Sequence, residues 1–305
     1  MKFSTLIKII LSVVILGGLI YYLGPSNLIL AFEKANYLYW IPAILIFLIT
    51  LEMGALNLYF LISRLNPQIK HKEIRKMFLV SALLGLITPG KVGEFAIVKY
   101  LKRYNITYGQ SINIPIIDKL ITIVVLGIFA AIGFFKYFEL KAALIITIMI
   151  LIIVILIIFL MMNSRSRKFI RRYILQKHED KFKGFYATLR YFLVEQKKYL
   201  TLNLINTLLR NILTSIVILI LFRSFGASPS LFSVILIFSA TTIISNIPIS
   251  ISGIGIKEGA AAAMFSLVKI EPIITVSTYL IFTAITYLCL TPIAILSYLS
   301  LTKKE

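Results

Sequence analysis

Cysteine occurs once in the 305 residues, at Cys289, and histidine twice, at His71 and His178. A lone cysteine inside an apolar run excludes a disulfide framework and a cysteine-held metal. Both histidines sit in basic loops, so neither a metal nor another cofactor is expected. Charge is scarce too. Only 14% of residues are charged and 59% are hydrophobic, against roughly 25% and 45–50% in soluble domains. A soluble globule could not hide that much apolar surface. Alternating apolar and polar positions are missing, which excludes a β-barrel. Acidic residues number 12 against 32 Lys and Arg, a net charge of +20. No nucleic-acid-binding motif accompanies this excess, so it reads as cytoplasmic loops facing anionic lipid headgroups. There is no Asp-x-Asp motif and no His–Asp pair, and the chain is not expected to be an enzyme. Gly253-Ile254-Gly255 has no preceding strand and no third glycine, so it is not a dinucleotide fingerprint.

What is present is a series of apolar segments, at about 5–23, 37–62, 77–101, 111–135, 142–162, 199–222, 231–268 and 273–301. Stretch 142–162 carries no charge over about 20 residues, the length that crosses a ~30 Å hydrocarbon core. The expected fold is an all-α polytopic integral membrane protein. The first run lacks a small-x-small cleavage site and continues into Tyr21-Tyr22-Leu23-Gly24-Pro25, so it reads as a retained anchor. Two segments are interrupted. One contains Ile87-Thr88-Pro89-Gly90-Lys91-Val92-Gly93-Glu94, and the other runs from Asn246 through Pro248, Ser252, Gly253 and Gly255 to Lys257-Glu258. Proline and glycine at that density stop a helix. Irregular backbone at membrane depth is tolerated only where protein or a wet cavity covers it.

Positive charge orients these segments. Arg64, Lys70, Lys72, Arg75 and Lys76 precede the first interrupted segment, and Lys99, Lys102 and Arg103 come after it. Stretch 163–198 is the most basic of all, whereas 24–36, 136–141, 223–230 and 269–272 are short or nearly neutral. If every segment crossed once, 163–198 would be exported. If both interrupted segments are re-entrant hairpins, every basic stretch is cytoplasmic, as the positive-inside rule prefers. That arrangement has six full crossings and two re-entrant helical hairpins in one transmembrane domain, 1–305. It is multi-pass in the cell membrane, with both termini cytoplasmic. Residues 37–135 and 199–301 then each read crossing, hairpin, crossing, in inverted orientation, around the basic cytoplasmic loop 163–198. The offset is about 164 residues and carries Glu94 onto Glu258 and Thr88 onto Ser252. Paired interrupted helices in inverted halves point to a transporter's central site.

Thr88 suits a helix N-cap and Pro89 the first helical position. A helix starting there at mid-membrane would aim free N–H groups at an anion, and Lys91 would add a full charge. Ser252, Gly253, Gly255 and Lys257 would build the matching end from the other side. The alternative is a pair of loops that merely turn, with glycines for close packing. A lone charge at bilayer centre costs about 2.5–3.5 kcal/mol, so Lys91, Glu94, Lys257 and Glu258 need partners. Adjacent Lys257 and Glu258 point apart on a helix, which leaves Lys91 with Glu258 and Lys257 with Glu94 as the expected pairs. Such pairs serve equally well as structural locks. Asp118 and Glu52 are the candidates for proton or ion coupling, with a salt bridge to a basic loop an equal alternative for Asp118. Lys119 is expected to snorkel to the interface. Arg210 is expected to be structural, with Glu52 a partner for it. Phe169, Tyr173, Phe182 and Phe185 fit an amphipathic helix on the inner leaflet, or a plain topology signal.

Thr88-Pro89-Gly90-Lys91-Val92-Gly93-Glu94, Ile117-Asp118-Lys119-Leu120 and Ile247-Pro248-Ile249-Ser250-Ile251-Ser252-Gly253-Ile254-Gly255-Ile256-Lys257-Glu258-Gly259 together resemble the flippase-like family, also described as the lysylphosphatidylglycerol synthase transmembrane region. The resemblance covers nearly the whole chain. It implies two re-entrant elements and movement of a lipid between leaflets, the lipid being an aminoacylated phosphatidylglycerol or a polyisoprenoid-phosphate-linked sugar. Pro89, Gly90, Gly93, Glu94, Gly253, Gly255 and Glu258 fall on the family's marked positions. Lys119 stands where the family often has arginine, and Pro-Ile-Ser-Ile-Ser-Gly replaces the commoner Pro-x-Ser-Pro-Gly-Gly. The full synthase carries a soluble aminoacyl-transferase domain after the membrane part, whereas this sequence stops at Glu305, so no aminoacylation is expected of it. The expected function is a flippase-like transporter of a phosphate-bearing lipid, with an anionic or zwitterionic headgroup held between the hairpin tips. The rivals are a membrane-embedded glycosyl- or acyl-transferase and a non-transporting scaffold of a glycosylation complex. Protein partners are left open between a homo-oligomer and glycosylation-pathway proteins.

Overall fold

The computed structural model describes residues 3–137 and 184–302, with isolated helical positions between 140 and 152. Most of the segment 142–162, most of the basic stretch 163–198 and the Lys303-Lys304 tail lie outside the described residues. So do Phe169, Tyr173 and Phe182 of the expected amphipathic helix.

Every regular element among the described residues is helical. Helix α1 spans Phe3–Leu23 and α2 spans Pro25–Glu33. Gly24 takes φ 82° between them and Pro25 occupies the first helical turn, so the pair bends by 78°. Stretch 24–36 is thus largely helical and not a simple connection. Asn36 then accepts from the Leu38 N–H and caps a short turn that leads into α3, Trp40–Leu65. Helix α4 spans His71–Ile87. It starts several residues before the boundary expected from hydropathy and takes in Lys72, Arg75 and Lys76. Glu73 in its first turn favours that start through the helix dipole and pairs with Lys76 at 3.4 Å. A 3₁₀ turn, Val92–Ala96, and a short α5, Ile97–Leu101, come after the first break. Next are α6, Tyr108–Ser111, capped reciprocally by Thr107 and Gln110, and α7, Asn113–Tyr137. Beyond lie α8, Phe185–Arg190, and α9, Lys197–Ser224. The last three are α10, Leu231–Ser245, α11, Ile256–Ser266, and α12, Pro272–Thr302.

Four helical runs are long and apolar enough to cross a bilayer: Tyr37–Leu65, Tyr108–Tyr137, Lys197–Ser224 and Pro272–Thr302. The bent pair of α1 and α2 supplies a fifth candidate. The protein is therefore a multi-span membrane protein. Of the six crossings expected, the one at 142–162 falls mostly outside the described residues.

Two large layers hold most of the core, beside two small clusters around Leu28 and Leu79. One layer gathers Phe47, Phe134, Phe222, Phe265 and Tyr279. Its rings meet edge-on or tilted, Phe222 and Phe265 with centroids 4.6 Å apart, each such pair adding about 0.5–1.5 kcal/mol beyond its area. The other layer gathers Leu61, Met77, Ile97, Ile117 and Phe192. Between the layers runs a polar seam where α3 lies against α9. Asn57 donates to Thr207 Oγ1 (2.8 Å) and its Oδ1 accepts from Asn206 (2.6 Å), which also donates to the Met53 carbonyl. Asn203 donates to the Asn57 carbonyl (3.1 Å). Lipid gives helices no hydrophobic reason to associate, so close packing and interhelical hydrogen bonds hold them together. Around this axis α4 packs on α12, and α10 packs on α7.

Candidate functional site

The first break arises from Thr88-Pro89-Gly90. A residue before proline is pushed out of the helical region, and Thr88 is extended at φ −113°, ψ 141°. Gly90 and Lys91 then both take positive φ, 61° and 57°. The chain doubles back so tightly that a Cβ on Gly93 would overlap the Leu84 carbonyl. Thr88 Oγ1 ties the turn, donating to Leu84 O (2.8 Å) and accepting from the Gly93 N–H (2.7 Å). Thr88 is thus the end of α4 and not the cap of a second α-helix. The returning leg opens as a 3₁₀ turn whose first N–H groups are engaged within the turn, Lys91 on Thr88 O, Val92 on Pro89 O and Gly93 on Thr88 Oγ1, so the first tip is not the open α-helix N-terminus that was expected.

The second break occupies residues 246–255. Ser252, Gly253 and Gly255 take φ 51°, 76° and 83°. Gly253 presses on Ser245, where a Cβ would come within 2.5 Å. Ile251 forms an isolated antiparallel bridge with Pro89, so the two breaks touch. The Ile251 N–H donates to Ser12 Oγ of α1 (2.9 Å), and α1 also lies against Gly255.

The charged side chains do not pair as expected. Glu94 lies across Gly85, where a Cβ would meet its side chain at 2.6 Å. It forms an ion pair with Lys119 of α7, which turns inward instead of snorkelling. Glu258 is 1% exposed and folds back over its own helix, accepting from the Gly255 N–H (2.7 Å) and from Thr283 Oγ1 (3.3 Å). Lys257 donates to the same Thr283 Oγ1 (3.0 Å) and stands 3.7 Å from Glu258. Adjacent residues thus share one site, because the long lysine stem bends to a hydroxyl on the facing helix. The α11 N-terminus is capped by Glu258 and is not an open anion site. Glu52 lies outside the cavity and is bound by Arg75 (2.9 Å), with the His71 ring 3.5 Å away, and not by Arg210.

A cavity opens where the breaks meet, in two adjoining compartments. The first, of about 230 Å³, is lined by Lys91, Glu94, Asp118, Lys119, Arg210 and Asn211 among others. The second, of about 240 Å³, is lined by Ser245, Ser252, Lys257, Thr283, Thr286 and Tyr287 among others. Lys91 and Glu94 border both. Among the described residues, neither the Lys91 ammonium nor the Arg210 guanidinium has an ion-pair partner within 4.0 Å. Asp118 accepts from Asn203 (3.3 Å) and has no cation in contact. Lys91 and Arg210 thus face this cavity against the single cation-free carboxylate of Asp118, and a lone charge at membrane depth costs about 2.5–3.5 kcal/mol on insertion scales.

Of the residues singled out from sequence, Lys91, Glu94, Asp118, Ser252 and Lys257 line the cavity. Thr88, Pro89, Gly90, Gly93, Gly253 and Gly255 shape the tips, and Glu258 lies behind the wall. Sequence reasoning missed Lys119 and Arg210 as lining residues, and it passed over Asn203, Asn211 and Thr283. A signal for some of them existed. Asn203, Thr207, Arg210, Asn211 and Thr214 recur at helical spacing, a polar stripe on an otherwise apolar helix.

The profile of the lysylphosphatidylglycerol synthase TM region matches residues 7–294, so the chain belongs to that family. A relative described as a UPF0104 membrane protein, from Methanothermobacter thermautotrophicus, is 23% identical over 298 residues, covering 89% of this chain and 88% of its own length. No solved structure matches.

Proposed function

We propose that this member of the family moves a phosphate-bearing lipid between leaflets, holding the headgroup in the cavity between the two breaks. The observation that carries the reading is the pair of unpaired cations, Lys91 and Arg210, lining one cavity. Glu94 is kept on Lys119 and so does not neutralise Lys91. The phosphate bridges Lys91 and Arg210 by charge-assisted hydrogen bonds, which are about twice as strong as neutral ones. The lipid tails stay in the bilayer. Asp118, inside the cavity and free of a cation, is the carboxylate we place on any proton- or ion-coupling path.

In this reading the two folded-back segments are re-entrant hairpins within an inverted repeat. Support comes from the reciprocal packing of α4 on α12 and α10 on α7. The offset that relates Glu94 to Glu258 also relates Lys119 to Thr283, and each glutamate binds its own partner of that pair. Basic Lys72 and Lys102 flank the first hairpin and support a cytoplasmic base, in the cell membrane, by the positive-inside rule. The test is transbilayer movement of a fluorescent phosphatidate in proteoliposomes. Arg210→Gln and Lys91→Gln should each slow it at least several-fold. Unchanged movement in both variants would refute the anion site.

A further inference from the structure

Helices α1 and α2 line neither compartment of the cavity. Their bend shows what they do instead. The 21 residues of α1 rise about 31 Å, enough to cross a ~30 Å hydrocarbon core alone. Helix α2 leaves the end of α1 at 78°. Its nine residues therefore advance only about 3 Å further in that direction. It adds nothing to the crossing and runs nearly at right angles to it. Asn27 Nδ2 closes the end of α1 by donating to Leu23 O (3.0 Å), a polar finish at the level where α2 begins.

The sequence of α2 divides around its axis. At about 100° per residue, Ala31, Leu28, Phe32, Pro25 and Ile29 fall on one arc, and Glu33, Ser26, Lys34 and Asn27 on the other. Leu30 is the one departure. Protein covers part of the apolar arc: Leu28 is buried, and Phe32 meets Phe225 edge-on with centroids 5.5 Å apart. Ile29, at the arc's far edge, is 59% exposed. The helix is fixed to the end of α9, where the Asn36 N–H donates to Ser224 O (2.8 Å) and Trp40 Nε1 to Ser224 Oγ (3.3 Å). Tyr21 and Tyr22, 83% and 84% exposed, stand at the same end with Tyr37 and Trp40. Such rings suit the headgroup level of a bilayer. Glu33 and Lys34 cancel in charge, so the partner that fits this helix is a lipid surface of any charge, held by apolar burial.

The same two helices reach the second break. Ser12, 5% exposed, accepts from the Ile251 N–H (2.9 Å), and Ile15 and Leu16 of α1 lie against Gly255. Ser12 comes eleven residues before Leu23, a rise of about 16 Å, or half the hydrocarbon thickness. We propose that α2 is an interfacial anchor: it lies in one membrane surface with Ile29 in lipid and Ser26 and Glu33 in water, and through α1 it holds the second break at the bilayer centre. The inference stands whether or not a lipid is moved.

The test is the depth of single nitroxide labels on the full chain in phosphatidylcholine vesicles. Labels are attached through Val13→Cys, Ser26→Cys, Ile29→Cys and Glu33→Cys, each in a Cys289→Ala background. Depth is read from relaxation by oxygen against a water-soluble nickel chelate. The label at 29 should lie about 5–10 Å below the headgroups. The label at 13 should lie about 15 Å below the end of α1, near the centre, and those at 26 and 33 should respond to the chelate. A label at 29 as deep as the one at 13 would put α2 inside a broken span. One as wet as that at 26 would lift α2 off the surface, and one shielded from both reagents would mean that protein, such as a second copy of the chain, covers it. Each of these overturns the inference. Ile29→Asp should then shift the label at 13 by at least about 3 Å, two residues' rise. An unmoved label would leave α2 resting on the membrane without setting the depth of α1, and would refute the anchor.

Discussion

Replacing Glu94 with glutamine keeps the shape of the side chain and removes its charge. Lys119 then becomes a third uncompensated cation beside Lys91 and Arg210. Breaking a fully buried ion pair costs about 3–5 kcal/mol, and an exposed pair is worth under about 1 kcal/mol. Both side chains here are 29% exposed, so about 2 kcal/mol of stability should be lost, with the sign set by the orphaned ammonium. The more positive cavity should bind a phosphate lipid more tightly and release it more slowly. Glu94→Gln should therefore lower both the half-saturating lipid concentration and the maximal rate. Lys119→Met does the opposite, leaving Glu94 free beside the phosphate, and should raise the half-saturating concentration. The double variant should recover much of what each single variant loses, with a coupling of about 1–2 kcal/mol in thermal or denaturant unfolding. The assay is transbilayer movement at varied lipid density, paired with unfolding of the same four proteins. Single variants that shift half-saturation in the same direction, or effects that simply add, would refute the reasoning.

The geometry fixes three other outcomes. Gly93→Ala drives a methyl into the Leu84 carbonyl and should cost more than about 3 kcal/mol, read as loss of folded protein, whereas Gly259→Ala meets nothing within 4 Å and should be neutral or slightly stabilising. Cysteines placed at exposed Lys72 and Lys102 should both be shielded from an impermeant thiol reagent added outside, and labelling of only one would mean that the first interrupted segment crosses fully. Glu52→Gln breaks a half-exposed contact with Arg75 and should lower stability by under about 1 kcal/mol without changing lipid movement or its pH dependence, so a lost pH dependence would put Glu52 on the coupling path.

The long helices were legible because few other arrangements accommodate runs so apolar. The two breaks were legible because Pro89, Gly90, Gly93, Pro248, Gly253 and Gly255 leave the helix no way to continue. Partners were not. Spacing tells which residues share a face of one helix, but not which helix lies opposite. Lys119 could have snorkelled or turned inward, and only the nearness of Glu94 on the returning leg decides it. Arg210 looked structural as a lone charge, although the polar stripe around it already marked a wet face.

Neither break presents an open helix N-terminus to the cavity, and in the proposed reading this bears on selectivity. An anion site made of helix ends would be built from backbone and hard to alter by substitution. Here Glu258 covers the one α-helical end, at Gly255, and the other tip continues as a 3₁₀ turn. In the proposed reading attraction for an anion is left to Lys91 and Arg210, with Lys119 held by Glu94, all of them side chains on different elements. The backbone supplies position instead, through the contact of Pro89 with Ile251 and through left-handed Lys91. Such a site can change its preferred headgroup by exchanging side chains on α7, α9 or α12 while the two tips keep their shape. If the proposed lipid site holds, differences in headgroup preference between relatives should map to the positions of Lys119, Arg210 and Thr283 rather than to the glycines of the breaks. Exchanging these three side chains together with those of a relative should transfer its headgroup preference, and a preference that stays with the tips would contradict this division of labour.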